Sequence, residues 1–369
     1  MHTTIFDPVD ELTRRGLLTG GAAGLLIAAG IGVGPADGAE PEDGAFPVTI
    51  EHKYGSTTIP AQPKRIVCVG ELEQDTLLAL GVVPVATSKW LGEYPGAIYP
   101  WAQDKLGDGP VPEALDVFTA GPQFERIAAL RPDASTASRP KSAAPAAGPD
   151  LILALFSFIE RADYNKLAQI APTVAQPKGF VNYGAPWQLM TRSIGRAVGQ
   201  HDRADQLVAG VEAQLAQVRA AHPEFAGATA VVARPGPGGN YSYWPPPSPS
   251  GQFLADLGFE LPAELAELAG GQSFFEISGE QLDLLDTDVL VWLWVQDKSQ
   301  REEIRANPLY AGLDVATQGR DIFLFGTDVL NEALTVGTVL SIPFLLDRLV
   351  PLLAAAVDGD PATTTEALG

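Results

Sequence analysis

The stretch 187–221 reads as one long helical region, interrupted only at 199–202, and it constrains this chain more than any other feature. Leu189, Ile194, Val198, Leu207, Val208, Val211 and Leu215 recur at helical spacing and give it an apolar stripe. No polar, disordered linker separates the residues on its two sides. A helical connection across 186–225 therefore holds two halves at a nearly fixed separation. With 369 residues, each half can bury a core of its own.

Each half alternates short apolar strands with helices. In the first, 46–185, a small hairpin of 48–50 and 57–59 ends at Pro60 and Pro63. A strand at 65–69, a helix at 73–80 closed by Gly81 and a strand at 82–86 follow. The run 90–101 is aromatic and reads as a loop. A helix at 124–130 meets an alanine-, serine- and proline-rich stretch, 134–148, bracketed by two Pro-Asp pairs, which reads as an inserted loop ahead of a strand at 151–154. A helix at 164–170 and a strand at 173–175 complete the half. The second half, 226–356, restarts the pattern with strands at 228–233, 289–295 and 321–325. Its helices fall at 250–257, 281–285 and 301–307, with a turn at 308–313 and one long last helix, 336–350, bent at Pro343. The tail 357–369 is acidic and expected to be disordered. This is an α/β pattern: two lobes with mostly parallel sheets and a cleft between them, where a small ligand binds.

Charge and chemistry narrow the function classes. A net charge of -21 argues against nucleic acid or an anionic membrane surface as partner, while permitting a basic protein face. Cys68, the single cysteine, has no disulfide partner and lies in an apolar run. The four histidines, His2, His52, His201 and His222, show no metal-ligand spacing. No Ser-His-Asp or Cys-His arrangement assembles, and the glycines of 236–240 lead into aromatics rather than a helix, unlike a phosphate-binding turn. A binding protein without enzymatic activity is expected. At the start, Arg14 and Arg15 precede a Gly/Ala/Leu/Ile run ending in small residues, which makes 1–39 a twin-arginine-type export signal and the protein periplasmic or attached to the cell envelope. No cysteine follows the run to carry a lipid. Anchoring by an uncleaved signal stays open.

Four segments then carry a family resemblance: 63–70 with 73–85; 124–133 with its delayed continuation 149–154; 167–174 leading to Trp187; and 277–290. In this order the sequence resembles the periplasmic binding proteins for iron-siderophores, haem and cobalamin, the helical-backbone class of substrate-binding protein. The resemblance spans about 46–356 and implies two Rossmann-like lobes joined by a long helix. It also implies a monomer that captures a ferric siderophore and delivers it to the permease subunits of an ABC importer. No resident cofactor is expected, since iron arrives only as a bound ferric chelate. In such proteins a glutamate on each lobe pairs with permease arginines, and the matching residues here are Glu125 and Glu280. For the ligand, aromatics placed where loops leave strands are the candidates: Trp90, Tyr94, Tyr99 and Trp101 in the first lobe, Tyr183 and Trp187 near the hinge, and Tyr241, Tyr243 and Trp244 in the second. Arg234, after the 228–233 strand, is the charged candidate for an anionic chelate. Trp292 and Trp294 read as packing within a continuous apolar strand. Haem capture, with Tyr94, Tyr183 or Tyr243 as axial ligand, and a non-transport envelope or sensory role are the alternatives.

Overall fold

The computed structural model describes residues 44–130, 148–326, 328–360 and 362–363. The export signal, the loop expected at 134–148 apart from Gly148, and most of the tail lie outside them. Among the described residues no helix is long and apolar enough to cross a membrane.

The chain enters through the antiparallel hairpin β1 (Val48–His52) and β2 (Gly55–Ile59). The amino-terminal sheet comprises β3 (Ile66–Cys68), β4 (Ala86–Ser88), β5 (Glu113–Leu115), β6 (Leu151–Ala154) and β7 (Thr173–Ala175), in the order β5-β4-β3-β6-β7 and parallel throughout. Every residue of β3 and β6 is buried, and alternate side chains enter opposite cores. Ile66, Cys68, Leu151 and Leu153 pack on one face, Val67, Ile152 and Ala154 on the other.

The carboxyl-terminal sheet repeats this plan. β8 (Ala230–Pro235), β9 (Tyr241–Tyr243), β10 (Phe275–Ile277), β11 (Val289–Val295) and β12 (Asp321–Phe325) lie in the order β10-β9-β8-β11-β12. Numbered within its own sheet, each lobe has the strand order 3-2-1-4-5. β9 alone runs against its neighbours β8 and β10, while β11 is parallel to both β8 and β12.

Between the lobes lie the helices Trp187–Ala197 and His201–Ala221. At their junction Gly195 meets Ala204: a Cβ on Gly195 would stand 2.3 Å from that of Ala204, so only glycine permits the approach. Ala204 packs in the amino-terminal core, whereas Val208, Val211 and Leu215 pack in the carboxyl-terminal one. One helix about 30 Å long thus serves both lobes.

Several expectations need correction. The region 336–350 is not one bent helix. Three helices, Val329–Val336, Ser341–Arg348 and Val350–Val357, succeed one another, the first closed by Gly337 at φ 52°. Pro343 falls in the first turn of the second, where a missing N–H costs no intrahelical bond. The strand expected at 82–86 begins only at Ala86, and Pro308–Ala311 is a helical turn whose Asn307 side chain accepts from the Leu309 N–H. Tyr241 and Tyr243 lie within a strand rather than a rim loop.

Candidate functional site

In both lobes the parallel strands run toward the same cleft, whose cavity measures about 760 Å³ and lies at their carboxyl ends, where loops rather than ladder bonds occupy the backbone. The amino-terminal wall is a continuous aromatic sheet. Trp90 follows β4, Phe118 follows β5, Phe156 and Phe158 follow β6, and Tyr183 follows β7. Tyr183 joins them, with ring centroids 4.3 Å from Phe156, 4.3 Å from Phe158 and 6.2 Å from Trp90. Phe118 and Phe158 remain 49% and 60% exposed, far more than apolar rings of this size ordinarily are.

This wall is held from behind by Glu73, in the first turn of the Glu73–Ala79 helix. Its Oε1 accepts from the N–H groups of Leu155 (2.6 Å) and Phe156 (2.9 Å), and its Oε2 from that of Leu72 (3.2 Å). Burial raises the Glu73 carboxyl above its usual range although these three donors pull it down. Gly70 is required beside it, since a Cβ there would stand 2.0 Å from Glu73 Oε1. Glu71 lies alongside, raised well above the carboxylate range by burial and then by Glu73. Its Oε2 and the Tyr183 hydroxyl are both buried without an aligned hydrogen bond. Tyr183 itself adopts φ 61°, a strained backbone for a residue with a side chain, and burial drives its phenol pKa upward.

The opposite wall is built by Trp244 after β9, Phe274 before β10, Trp294 near the end of β11 and Arg234 near the end of β8. Trp244 and Phe274 have centroids 5.6 Å apart. The loop bearing Trp244 lies directly on the Pro249–Leu257 helix: a Cβ on Gly251 would come within 2.6 Å of the Trp244 carbonyl. Ser248 caps that helix by accepting from the Gly251 N–H at 3.0 Å. Arg234 lies over the Trp244 ring, its guanidinium carbon 5.5 Å from the centroid. Among the described residues no carboxylate lines the cavity, and Arg234 is its one charged lining side chain.

Among the described residues, three side-chain hydrogen bonds cross between the lobes. At the mouth, Ser273 Oγ donates to the Asn182 carbonyl at 3.1 Å. Below it the Tyr94 hydroxyl donates to Glu332 Oε2 at 2.7 Å, and Thr338 Oγ1 donates to Asp75 Oδ2.

Of the ten candidate ligand residues, the cavity lining includes Trp90, Tyr183, Arg234 and Trp244. The other six lie elsewhere, each with its polar tip or ring engaged. Tyr94 is held on Glu332, and burial, with that carboxylate's help, raises its phenol to about 12. Tyr99 is buried and stacked on Trp101, centroids 4.7 Å apart, and the Trp101 indole donates to Asp75. Trp187 is buried at the start of its helix, its indole nitrogen 3.4 Å from Asp256. Tyr241 packs against Trp292. Tyr243 is buried, its hydroxyl donating to the Leu265 carbonyl at 2.7 Å. Trp292 is fully buried, its indole donating to Tyr310 at 3.0 Å. Trp294 packs against the carboxyl-terminal core as expected and also reaches the cavity, brought there by an irregularity in pairing between Trp292 and Val295, with Trp294 at φ 56°. Its N–H is fixed at 2.9 Å by Asn331 Oδ1.

Among the described residues no histidine lines the cavity, and the tyrosines considered as haem ligands have their hydroxyls on Glu332, beside Glu71 or on Leu265. Among the described residues no group of three His, Cys, Asp or Glu could hold a metal ion. Glu125 and Glu280 are both exposed, each in the first turn of the helix preceding the fourth strand of its sheet: Phe124–Ala129 before β6 and Gly279–Leu285 before β11.

Comparison with known proteins places this geometry among relatives. Residues 146–328 match the family described as periplasmic binding protein. A periplasmic solute binding protein of Mycobacterium smegmatis is 32% identical, with a TM-score of 0.69 over 84% of this chain and 98% of that one. PiaA of Streptococcus pneumoniae, solved with ferrichrome, shares the fold at a TM-score of 0.71 and 24% identity, over 85% of this chain and 99% of that one. The ferric enterobactin-binding periplasmic protein FepB of Escherichia coli is 26% identical over 298 residues, 78% of this chain and 86% of FepB.

Proposed function

The chain belongs to the periplasmic binding protein family, and from that premise we propose that it captures a ferric siderophore outside the cytoplasmic membrane and delivers it to an ABC importer. The observation that carries this reading is the cavity of about 760 Å³, walled by aromatic rings from both lobes and holding, among the described residues, one arginine and no carboxylate. A chelate presents its metal wrapped in an organic shell, so the protein needs faces and edges rather than metal ligands. Indole and phenyl faces supply those contacts, and Arg234 supplies a directional hydrogen bond to a chelate oxygen. Relatives named for ferric enterobactin and for siderophore binding support the same reading.

Within this function Trp90, Tyr183, Arg234 and Trp244 are the binding residues that sequence and geometry jointly favour, with Phe118, Phe158, Phe274 and Trp294 added by the geometry. Glu125 and Glu280 are the permease-docking residues: their exposure and their equivalent places in the two lobes suit a pair of contacts registered across two permease subunits. Lobe motion is small, because the His201–Ala221 helix packs in both cores and hydrogen bonds from Tyr94, Ser273 and Thr338 span the junction.

Tryptophan fluorescence of the protein, titrated with ferric siderophores, the same chelators free of iron, and haem, tests the function. Saturable quenching that requires iron is expected, because Trp90, Trp244 and Trp294 line the cavity. Saturation by haem alone would replace the siderophore reading. No response to any ligand would favour a sensory or envelope role.

A further inference from the structure

Iron chelates differ widely in charge. Iron(III) held by three hydroxamates, each singly negative, is neutral; held by three doubly negative catecholates, it carries a charge of minus three. A binding cleft must answer that charge, since an ion taken out of water without a partner is heavily penalised.

The charge inventory of this cleft is short. Arg234 stands over the Trp244 ring, an arrangement that leaves guanidinium N–H groups available to one oxyanion. The other charged groups nearby are turned to different work. Lys53 donates to Asn182 Oδ1 at 3.2 Å and does not itself line the cavity, and Lys89 is paired with Glu93 at 3.0 Å. Among the described residues the amino-terminal wall contributes rings and no cation, and directly behind Tyr183 and Phe156 lie the carboxyl groups of Glu71 and Glu73. An anion seated against that wall gains no compensation from it. The half-exposed rings of Phe118, Phe158 and Phe274 ask instead for an apolar or aryl surface to cover them.

We propose that this cleft selects ferric chelates of net charge zero or minus one with an apolar or aryl exterior, Arg234 taking the single oxyanion, and discriminates against the trianionic tris-catecholates. The inference rests on the siderophore-binding function and names the substrate class within it. It separates this chain from what its likeness to a ferric enterobactin-binding protein alone would suggest.

The test is equilibrium titration of the full-length protein with three ferric probes: ferrichrome, which is a neutral tris-hydroxamate; a mixed phenolate-hydroxamate chelate of charge zero or minus one; and ferric enterobactin, the trianionic tris-catecholate. At least one low-charge probe should bind about 100-fold tighter than the tris-catecholate. Arg234→Gln should weaken the mono-anionic chelate about tenfold while changing a neutral one by less. Gln272→Arg, which adds a second guanidinium at an exposed lining position, should narrow the gap by raising tris-catecholate affinity. Tris-catecholate binding as tight as the low-charge probes, or a Gln272→Arg variant that leaves the gap unchanged, overturns the charge selection and leaves siderophore capture standing. Binding of none of the three overturns siderophore capture, and the charge selection with it.

Discussion

Asp75 Oδ2 accepts a hydrogen bond from Thr338 Oγ1, 263 positions further along the chain, and so joins the first helix of one lobe to the segment between two helices of the other. The same oxygen accepts from the Trp101 indole at 2.8 Å, while Oδ1 is buried without a partner. Burial pushes this carboxyl from 3.8 up to about 6, against the pull of both donors.

A carboxyl whose pKa is higher in the folded state makes its full contribution below the unfolded pKa, and that contribution is lost as pH rises through the folded value. For Asp75 the window runs from about pH 4 to about pH 6, and its span corresponds to a cost on the order of 3 kcal/mol once the buried group is ionised. Asp75→Asn keeps an acceptor for Thr338 and Trp101 and cannot ionise. Relative to the parent, the variant should therefore gain about 3 kcal/mol between pH 4 and pH 8, read from denaturant midpoints. A stability difference that is flat across this range would falsify the buried-charge account.

The second junction also holds a buried carboxyl raised above its usual range. Tyr94 donates to Glu332, a carboxylate whose pKa is raised by burial and lowered by this bond. Removing the hydroxyl in Tyr94→Phe should cost about 1–2 kcal/mol where Glu332 is ionised, and less as falling pH protonates it. Gly92 guards the pair: at φ 65°, its added Cβ would stand 2.3 Å from the Tyr94 ring and 2.7 Å from Glu332 Oε1. Thermal unfolding of Gly92→Ala should show a larger loss than Tyr94→Phe, because it combines backbone strain with displacement of both partners. Equal or smaller loss would mean that the loop moves freely.

Trp294 offers a test of action at one remove. Asn331 is fully buried, accepts from the Trp294 N–H and donates to the Phe325 carbonyl, so it clamps the strained turn that brings Trp294 to the cavity. Asn331→Ala should destabilise the protein by about 1–3 kcal/mol. It should also weaken chelate binding and shift the tryptophan emission of the free protein, although Asn331 is absent from the cavity lining. A stability loss with unchanged affinity and emission would show that the clamp does not position Trp294.

The same residue shows where sequence reasoning stops. The two-lobed α/β plan was legible because buried parallel strands are short apolar runs and the 187–221 stripe has a helical period. The cavity was only partly so. Trp294 sits in the run Val289–Val295, and nothing in that composition announces that pairing slips after Trp292. Tyr241 and Tyr243 misled in the reverse direction: three residues beside glycines and prolines resemble a loop, yet antiparallel pairing on both sides buries them, Ser242 included. Phe118 and Phe158 stand alone in connecting segments, and only the convergence of strand ends brings them beside Trp90 and Tyr183. Glu125 and Glu280 came through family resemblance; the strand orders add that they hold equivalent places in two lobes.

That equivalence makes docking separable from capture. Both glutamates are exposed, and neither lines the cavity, so substitutions there should leave chelate affinity within about twofold of the parent. Exposed ion pairs are individually weak, and Glu125→Ala or Glu280→Ala alone should slow iron uptake by a few fold. Reversing the sign sets like charges against the permease, and Glu125→Arg with Glu280→Arg should reduce uptake by more than about tenfold. Uptake of a radioactive ferric chelate by cells carrying each variant, with affinity measured on the purified proteins, distinguishes the two roles. Loss of affinity in step with uptake would move these residues from docking to the binding site, whereas full uptake by the double reversal would assign the permease contact to other parts of the surface.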